Sequence, residues 1–264
     1  MAKLTVAALQ QMKRDKRKIA AMVAYDFQMA QILDRAGADL ISVGDSVGSR
    51  FFGQPTHLET TLDQMILCCL AVSRGVQRAV VNCDLPFGPI QEGPESAVRA
   101  AIRLVKEGRA EMVKVDGAAE NPEAVRAIAK AGIPVWAQMG FTPQTTAAYG
   151  GFINIPDEVR RKLRDTLVEQ ARMIESAGAS ALDCTNVGND IVGDIAAAVS
   201  IPAIGGHNTG PNADGRVTVS YSLVGYDAAR IDQPPRAGGI NAGKIILDAV
   251  GAYFESVRNG TAPP

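Results

Sequence analysis

The chain alternates two kinds of hydrophobic spacing. Short β-branched runs end at Gly, Asp or Pro, and each is followed by a stretch with apolar residues at helical intervals. Strands are expected at Lys18–Val23, Leu40–Val43, Ala79–Cys83, Glu111–Val115, Pro134–Met139, Ser180–Asp183 and Ile201–Ile204, with an eighth at Val217–Tyr221. Helices are expected at Gln28–Ala36, Leu62–Val76, Pro94–Glu107, Pro122 to Gly132, Asp157–Ala177 and Gly193–Val199, with a closing helix at Ala242–Arg258. Pro122 sits in a first helical turn, and Gly37 and Gly132 stop helices. Repeated βα units imply parallel strands joined by right-handed crossovers. Seven or eight such units, a length of 264 residues and the absence of a GxGxxG turn favour a closed (β/α)8 TIM barrel of the α/β class over an open doubly wound sheet. No shift of composition marks a boundary, so residues 1–264 read as a single domain. Within it, Thr145–Pro156 reads as a long loop with a Gly150-Gly151 hinge, its role as a lid left open. Pro234-Pro235 with Gly238-Gly239 reads as a second loop, and Ala262-Pro263-Pro264 as a frayed tail.

Composition sharpens this picture. Hydrophobic residues make up 47% of the chain but aromatics only 5%, so Ala, Val, Ile and Leu carry the core, as buried parallel strands require. The net charge is −1, and no basic stripe with interleaved aromatics is present, which argues against a nucleic-acid partner. No apolar run approaches the roughly 20 residues needed to span a bilayer. The opening Met-Ala-Lys-Leu-Thr lacks an apolar leader segment. Cys68, Cys69, Cys83 and Cys184 show no CxxC or Cys/His ligand spacing, and read as reduced, buried thiols of a cytoplasmic protein.

In a barrel, the active site lies at the C-terminal ends of the strands. The residues there are Tyr25 and Asp26, Asp45 and Ser46, Asp84, Lys114 and Asp116, Gln138, Asp183, and His207 with Asn208. Carboxylates recur from strand to strand, where acids of helix surfaces would scatter. Acids converging on one rim repel each other unless a cation compensates. A hard divalent ion with oxygen ligands, such as Mg2+, meets that need and keeps waters that substrate oxygens can replace. No His/Cys set competes for a softer metal. Lys114 reads as a fixed positive charge for a substrate carboxylate or a developing enolate. A Schiff-base role is the weaker reading, because neighbouring acids keep its pKa high.

Plainer roles stand beside these. Asp26 fits a helix cap, and Asp45 and Asp116 fit turn residues. Asp84 before Leu-Pro and Asp183 after Ala-Leu fit a cap less well. His57 reads as an uninvolved residue of a loop-like stretch, and Gly205-Gly206 near Gly210 as a weak anion cradle.

Several blocks together resemble one family. Val43-Gly44-Asp45-Ser46-Val47-Gly48, Asp84-Leu85-Pro86-Phe87, Val113-Lys114-Val115 and Gly140-Phe141-Thr142-Pro143-Gln144 are similar to ketopantoate hydroxymethyltransferases, as are Met22 to Asp26 and the segments Ile204-Gly205-Gly206 and Asp214 to Val217. The similarity runs from about residue 15 to about residue 226, and the Gly-Asp-Ser block is shared with phosphoenolpyruvate mutase and isocitrate lyase barrels. The resemblance implies a Mg2+-dependent enzyme that transfers a hydroxymethyl group from 5,10-methylenetetrahydrofolate to 3-methyl-2-oxobutanoate in pantothenate biosynthesis, working as a ring-like homo-oligomer. It implies Asp45 and Asp84 as metal ligands, with Asp116 beside them, Ser46 and Lys114 as oxo-acid contacts, Gln138 as a further substrate contact, and Asp183 as the base.

Three of these positions depart from the family pattern. Asp116 and Asp183 stand where the family has Glu, and Gln138 where it has His; His207-Asn208-Thr209 also interrupts the usual small-residue run. A shorter carboxylate retracts its oxygens by about 1.5 Å, and misplacement on that scale can cost about 100-fold in rate. Two further readings therefore stay open: a metal-dependent aldolase or lyase that acts on another 2-oxo acid without folate, and a catalytically quiet barrel kept for binding. The intact Asp45, Ser46, Asp84 and Lys114 weigh against the last.

Overall fold

A computed structural model of the chain describes residues 2–145, 156–206, 209–235 and 239–262. The interior of the Thr145–Pro156 loop with its Gly150-Gly151 pair, His207, Asn208, Gly238 and the final Pro263-Pro264 lie outside the described residues.

Eight parallel strands close into a barrel in chain order. They are β1 (Ile19–Val23), β2 (Leu40–Val43), β3 (Val80–Asp84), β4 (Met112–Val115), β5 (Val135–Gly140), β6 (Ala181–Thr185), β7 (Ala203–Gly205) and β8 (Gly215–Val219). The expected TIM-barrel architecture is therefore the observed one. The helices are α1 (Val6–Arg14), α2 (Phe27–Arg35), α3 (Val47–Arg50), α4 (Leu62–Gly75), α5 (Pro94–Lys106), α6 (Pro122–Lys130), α7 (Asp157–Lys162), α8 (Arg164–Ser176), α9 (Asn189–Ala198), α10 (Ser220–Val224) and α11 (Ala242–Arg258). Local chemistry sets their starts. Thr61 and Gln64 form a capping box at α4. Proline opens α5 and α6, where its missing N–H costs nothing.

Strands β2 to β4 and β6 are buried along their whole length, as parallel strands covered by helices must be. Inside the barrel, Ile19, Leu40, Val80, Met112, Trp136, Ala181 and Ile204 pack against Leu9 and Met12 of α1, a helix the spacing analysis did not pick out. Apolar packing thus fills one end and leaves the other, at the C-terminal strand ends, to polar residues.

Several expected boundaries change, among them α9, which begins at Asn189, and β7, which runs Ala203–Gly205. The single helix expected at Asp157–Ala177 is two, α7 and α8, because Leu163 leaves helical geometry (φ −95°, ψ 2°) and its N–H closes a tight turn onto the Arg160 carbonyl. The eighth strand begins at Gly215, and Ser220-Tyr221, expected to be extended, open α10. Strand β6 continues to Thr185, with Cys184 and Thr185 paired with Met139 and Gly140, so Asp183 lies inside the strand rather than at its end.

The chain divides into two compact units, Met1–Thr218 and Val219–Pro264. The first contains the barrel's first seven strands and the start of β8. The second contains α10 and α11; Asn241 caps α11 by accepting the Lys244 N–H, and Ile245, Ile246, Leu247, Val250, Tyr253 and Phe254 of that helix are exposed. Among the described residues, no helix is long and apolar enough to cross a membrane.

Candidate active site

Strand pairing decides which polar side chains meet. Asp84 lies beside Lys114 in the β3–β4 register, and Gln138 beside Asp183 in the β5–β6 register. Residues two apart on a strand share a face, so Asn82 lies below Asp84. Its amide donates to Ser42 Oγ (2.7 Å) and to Asp84 Oδ1 (3.1 Å), and the Ser42 hydroxyl donates to the same oxygen (3.2 Å). Asp84 Oδ1 is thereby fixed from beneath. Its Oδ2 faces the Lys114 ammonium at 2.8 Å and accepts the Asp45 N–H at 3.4 Å. Burial pushes the Asp84 carboxyl up to about 6, against the pull of Lys114.

The Lys114 ammonium also lies 3.4 Å from Asp183 Oδ2 and 5.3 Å from the centre of the Trp136 ring. Burial alone would lower its pKa, but the charges of Asp84, Asp183 and Asp45 raise it. A lysine held in this way stays protonated, which suits an ion-pairing role and disfavours a nucleophilic amine.

Asp183 is 2% exposed. Burial raises its pKa, while Lys114 and a hydrogen bond from Thr185 act the other way. The Thr185 hydroxyl donates to Asp183 Oδ1 (3.2 Å) and accepts from the Gln138 amide (2.9 Å). Gly206, at the end of β7, makes room for this group. A Cβ there would sit 2.8 Å from Asp183 Oδ1 and 3.0 Å from Thr185 Oγ1.

Beyond β2, Asp45 precedes the short helix α3. Its Oδ2 accepts from the Gln144 amide (2.9 Å), which also reaches the Leu85 carbonyl (3.1 Å), and its carbonyl accepts the Thr60 hydroxyl (2.9 Å). Ser46 Oγ shares a 2.7 Å hydrogen bond with the Tyr25 hydroxyl. The Gln144 backbone N–H donates to Asp116 Oδ2 (3.1 Å). Burial and the nearby Asp45 charge push Asp116 up to about 7.

One connected network thus runs from Asp116 through Gln144, Asp45, Asp84, Lys114 and Asp183 to Thr185 and Gln138. It joins Asp45, Asp84, Lys114, Asp116, Gln138 and Asp183; Ser46 sits next to Asp45 in the chain and bonds to Tyr25, and His207 and Asn208 lie outside the described residues. Asp26 caps α2, accepting the Met29 N–H at 2.9 Å. His57, read from the sequence as uninvolved, places Nδ1 3.7 Å from Asp45 Oδ1. Ser42, Asn82, Gln144 and Thr185 were missed. The first two carried a signal, being polar residues inside otherwise apolar strand runs.

Among the described residues, no three His, Cys, Asp or Glu side chains form a ready-made cage for a divalent cation. The donor set is nevertheless all oxygen, and Asp116 Oδ1 and Gln144 Oε1 are buried acceptors with no hydrogen-bond partner among the described residues. A hydrated hard cation fits such a set, because its waters donate to unpaired acceptors while one or two carboxylates hold it.

The sequence profile of the ketopantoate hydroxymethyltransferases matches residues 3–264. The chain is 39% identical to the 3-methyl-2-oxobutanoate hydroxymethyltransferase of Salinibacter ruber, over 100% of this chain and 98% of that one. It is 40% identical to the protein of the same name from Cyanothece sp., over 98% of each. Among solved structures it shares its fold with 2,3-dimethylmalate lyase (TM-score 0.61, 14% identity, 97% of this chain and 96% of that one). It also shares it with a phosphonopyruvate hydrolase in complex with oxalate and Mg++ (TM-score 0.60, 14% identity, 98% and 89%). On the whole-length profile and these identities, the chain belongs to the ketopantoate hydroxymethyltransferase family of enzymes.

Proposed function

We propose that this chain transfers a hydroxymethyl group from 5,10-methylenetetrahydrofolate to 3-methyl-2-oxobutanoate, giving 2-dehydropantoate for pantothenate synthesis, with Mg2+ as cofactor. The observation that carries this reading is the placement of a buried carboxylate with a raised pKa, Asp183, 3.4 Å from a lysine that is itself paired to Asp84. A carboxylate whose pKa is raised by burial is a stronger base than a free one, which suits it to taking a carbon-bound proton. The same-fold phosphonopyruvate hydrolase crystallised with oxalate and Mg++ lends support to an acid-rich rim that handles small oxo acids.

In this reading Asp45 and Asp84 would hold the cation, with Asp116 beside them. Bound there, Mg2+ supplies Lewis-acid stabilisation of negative charge on the oxo-acid oxygens. Lys114 and Ser46 hold the substrate carboxylate, and Gln138 lines the pocket. Asp183 accepts the proton from the β-carbon. The freed electron pair forms the new C–C bond to the one-carbon unit, whose two C–N bonds to the folate break; water supplies the hydroxyl, and the proton taken by Asp183 and the proton left by water return to the two folate nitrogens as tetrahydrofolate leaves. The buried setting of Asp183 and Lys114 keeps both free of competing solvent hydrogen bonds.

The shorter Asp116 and Asp183 and the amide at Gln138 favour keeping a second reading, a folate-independent lyase or aldolase on another 2-oxo acid; its enolate chemistry is the same and its electrophile differs. One assay separates the two. The protein is incubated with Mg2+ and 3-methyl-2-oxobutanoate in D2O, with and without methylenetetrahydrofolate. Folate-dependent 2-dehydropantoate supports the first reading; deuterium exchange with no product supports the second. Absence of exchange with every oxo acid, together with absence of cation binding, overturns both. The exposed apolar residues of α11 support a homo-oligomer; light scattering that returns the mass of one chain would refute it.

A further inference from the structure

The base proposed above does not stand alone. Gln138, Asp183 and Thr185 come from two neighbouring strands. Gln138 and Asp183 are partners in the register, and Thr185 follows Asp183 by two residues on the same face. All three are buried, at 6%, 2% and 5% exposure.

The order of donors along this group is fixed. The Gln138 amide nitrogen only donates, so the bond between Gln138 Nε2 and Thr185 Oγ1 uses the hydroxyl as an acceptor. The hydroxyl proton is then left to point at Asp183 Oδ1, 3.2 Å away. That oxygen is occupied. The other, Oδ2, is turned toward Lys114 at 3.4 Å. Gly206 backs the arrangement so closely that a single added methyl group would press on both Asp183 Oδ1 and Thr185 Oγ1. The carboxylate therefore has Oδ1 held by Thr185 and Oδ2 turned to the rim, where the Lys114 ammonium donates to it at 3.4 Å. A shorter acid, which cannot reach as far as Glu, gains most from being held in this way.

We infer that Thr185 is a positioning residue, which, anchored by Gln138, holds Asp183 so that Oδ2 alone is presented to the substrate. The inference rests on the reading of Asp183 as the base. Thr185 touches no reacting atom in this account; it acts through Asp183. The charged groups that act on Asp183 from the neighbouring elements are Lys114, Asp84 and Asp45, and none of them is bonded to Oδ1. The buried Cys184 thiol follows it on its own strand. Among the described residues, Thr185 is thus the side chain that orients the carboxylate from the Oδ1 side.

The test uses the full-length protein with Mg2+ and follows loss of the β-proton of 3-methyl-2-oxobutanoate in D2O by NMR. Thr185→Val keeps the shape and removes the hydroxyl. It is expected to lower the exchange kcat about 10- to 100-fold with KM within about 2-fold of the parent, since misaligning a reacting group costs rate rather than binding. Thr185→Ser, which keeps the hydroxyl, is expected to retain kcat within about 3-fold. Gln138→Met is expected to lower kcat by a smaller factor, and Thr185→Val combined with Gln138→Met to fall less than the product of the single losses, because both act on one chain of hydrogen bonds. Thermal melting confirms that each variant is folded. If Thr185→Val exchanges at the parent rate, or if the Ser variant is as slow as the Val variant, the positioning role is overturned while Asp183 remains the candidate base. If the parent itself shows no exchange, the reading of Asp183 as base fails first, and the role of Thr185 with it.

Discussion

The Lys114 ammonium lies 2.8 Å from Asp84 Oδ2, and both side chains are almost wholly buried. The pair stands at the centre of the rim, with Asp183 on one side and Asp45 on the other. Removing one member of a buried pair leaves the other charge uncompensated, which typically costs 3–5 kcal/mol. Lys114→Met is therefore expected to destabilise the protein by about 3 kcal/mol in urea denaturation at pH 7, and to abolish exchange of the oxo-acid proton. An unchanged denaturation midpoint would show that Asp84 and Asp183 share a proton in place of the lysine.

Asp84→Asn keeps an oxygen to accept from Ser42 and Asn82 but removes the negative charge. The fold should persist, with a cooperative melt, while Mg2+ affinity measured by calorimetry falls at least about 100-fold, taking the loss of one of two direct carboxylates as at least 2.7 kcal/mol. A titration like that of the parent would take Asp84 out of the ligand set.

The rim acids also set a pH dependence. In the fold Asp84 titrates at about 6 and Asp116 at about 7, whereas both do so near 4 when unfolded. Between these values the folded chain binds more protons than the unfolded chain, so the stability of the metal-free protein should fall as pH rises from about 4 to about 7. Asp183, also raised, contributes with the same sign. A divalent cation takes the place of those protons, so its stabilising effect should grow over the same range. Melting curves with EDTA and with excess Mg2+ at pH 5.5 and 8 test this; a Mg2+ shift that is larger at pH 5.5 contradicts it.

Gly206→Ala places a methyl group 2.8 Å from Asp183 Oδ1. The carboxylate must move, and a displacement approaching 1 Å at a reacting group costs about 100-fold in rate. Exchange kcat should drop by about that factor. Stability should change by about 1 kcal/mol, a modest overpacking cost. Parent-like turnover would mean that Asp183 is not the group whose placement matters.

Away from the rim, Asp34 on α2 accepts the backbone N–H groups of Gln77, Arg78 and Ala79, the turn that leads into β3. Burial alone would raise its pKa, but these donors bring it below the usual value. Its contribution is present above the unfolded value near 4 and is lost as pH falls through the lower folded one. Asp34→Ala should cost about 2 kcal/mol at neutral pH, since it strands several backbone donors. Denaturation at pH 7 and pH 3 should show the difference between variant and parent shrinking at the lower pH.

Much of this molecule was legible in the chain itself. The alternation of β-branched runs with helical spacing located all eight strands to within a few residues, because a strand buried on both faces must be apolar throughout and its neighbours must be helices. The recurrence of acids at strand ends pointed to Asp45, Asp84, Asp116 and Asp183 for the same reason: an acid that interrupts the end of a buried strand needs an explanation. The closing helix Ala242–Arg258 was placed at its observed bounds.

Other features depend on contacts between distant residues. No periodicity reveals that Leu163 breaks a helix or that α1 closes one end of the barrel, because both follow from what those residues pack against. Spacing cannot show that Gln144, six residues past Gln138, reaches across to Asp45, a partner 99 residues away. It also leaves open whether Lys114 is a free amine or a paired ion. The register of β3 with β4 settles the last point by setting Asp84 against Lys114, and that of β5 with β6 sets Gln138 against Asp183. The sequence by itself determined which residue types face the rim. The closed barrel decided which of them touch, and with that their charge states and the direction each one points.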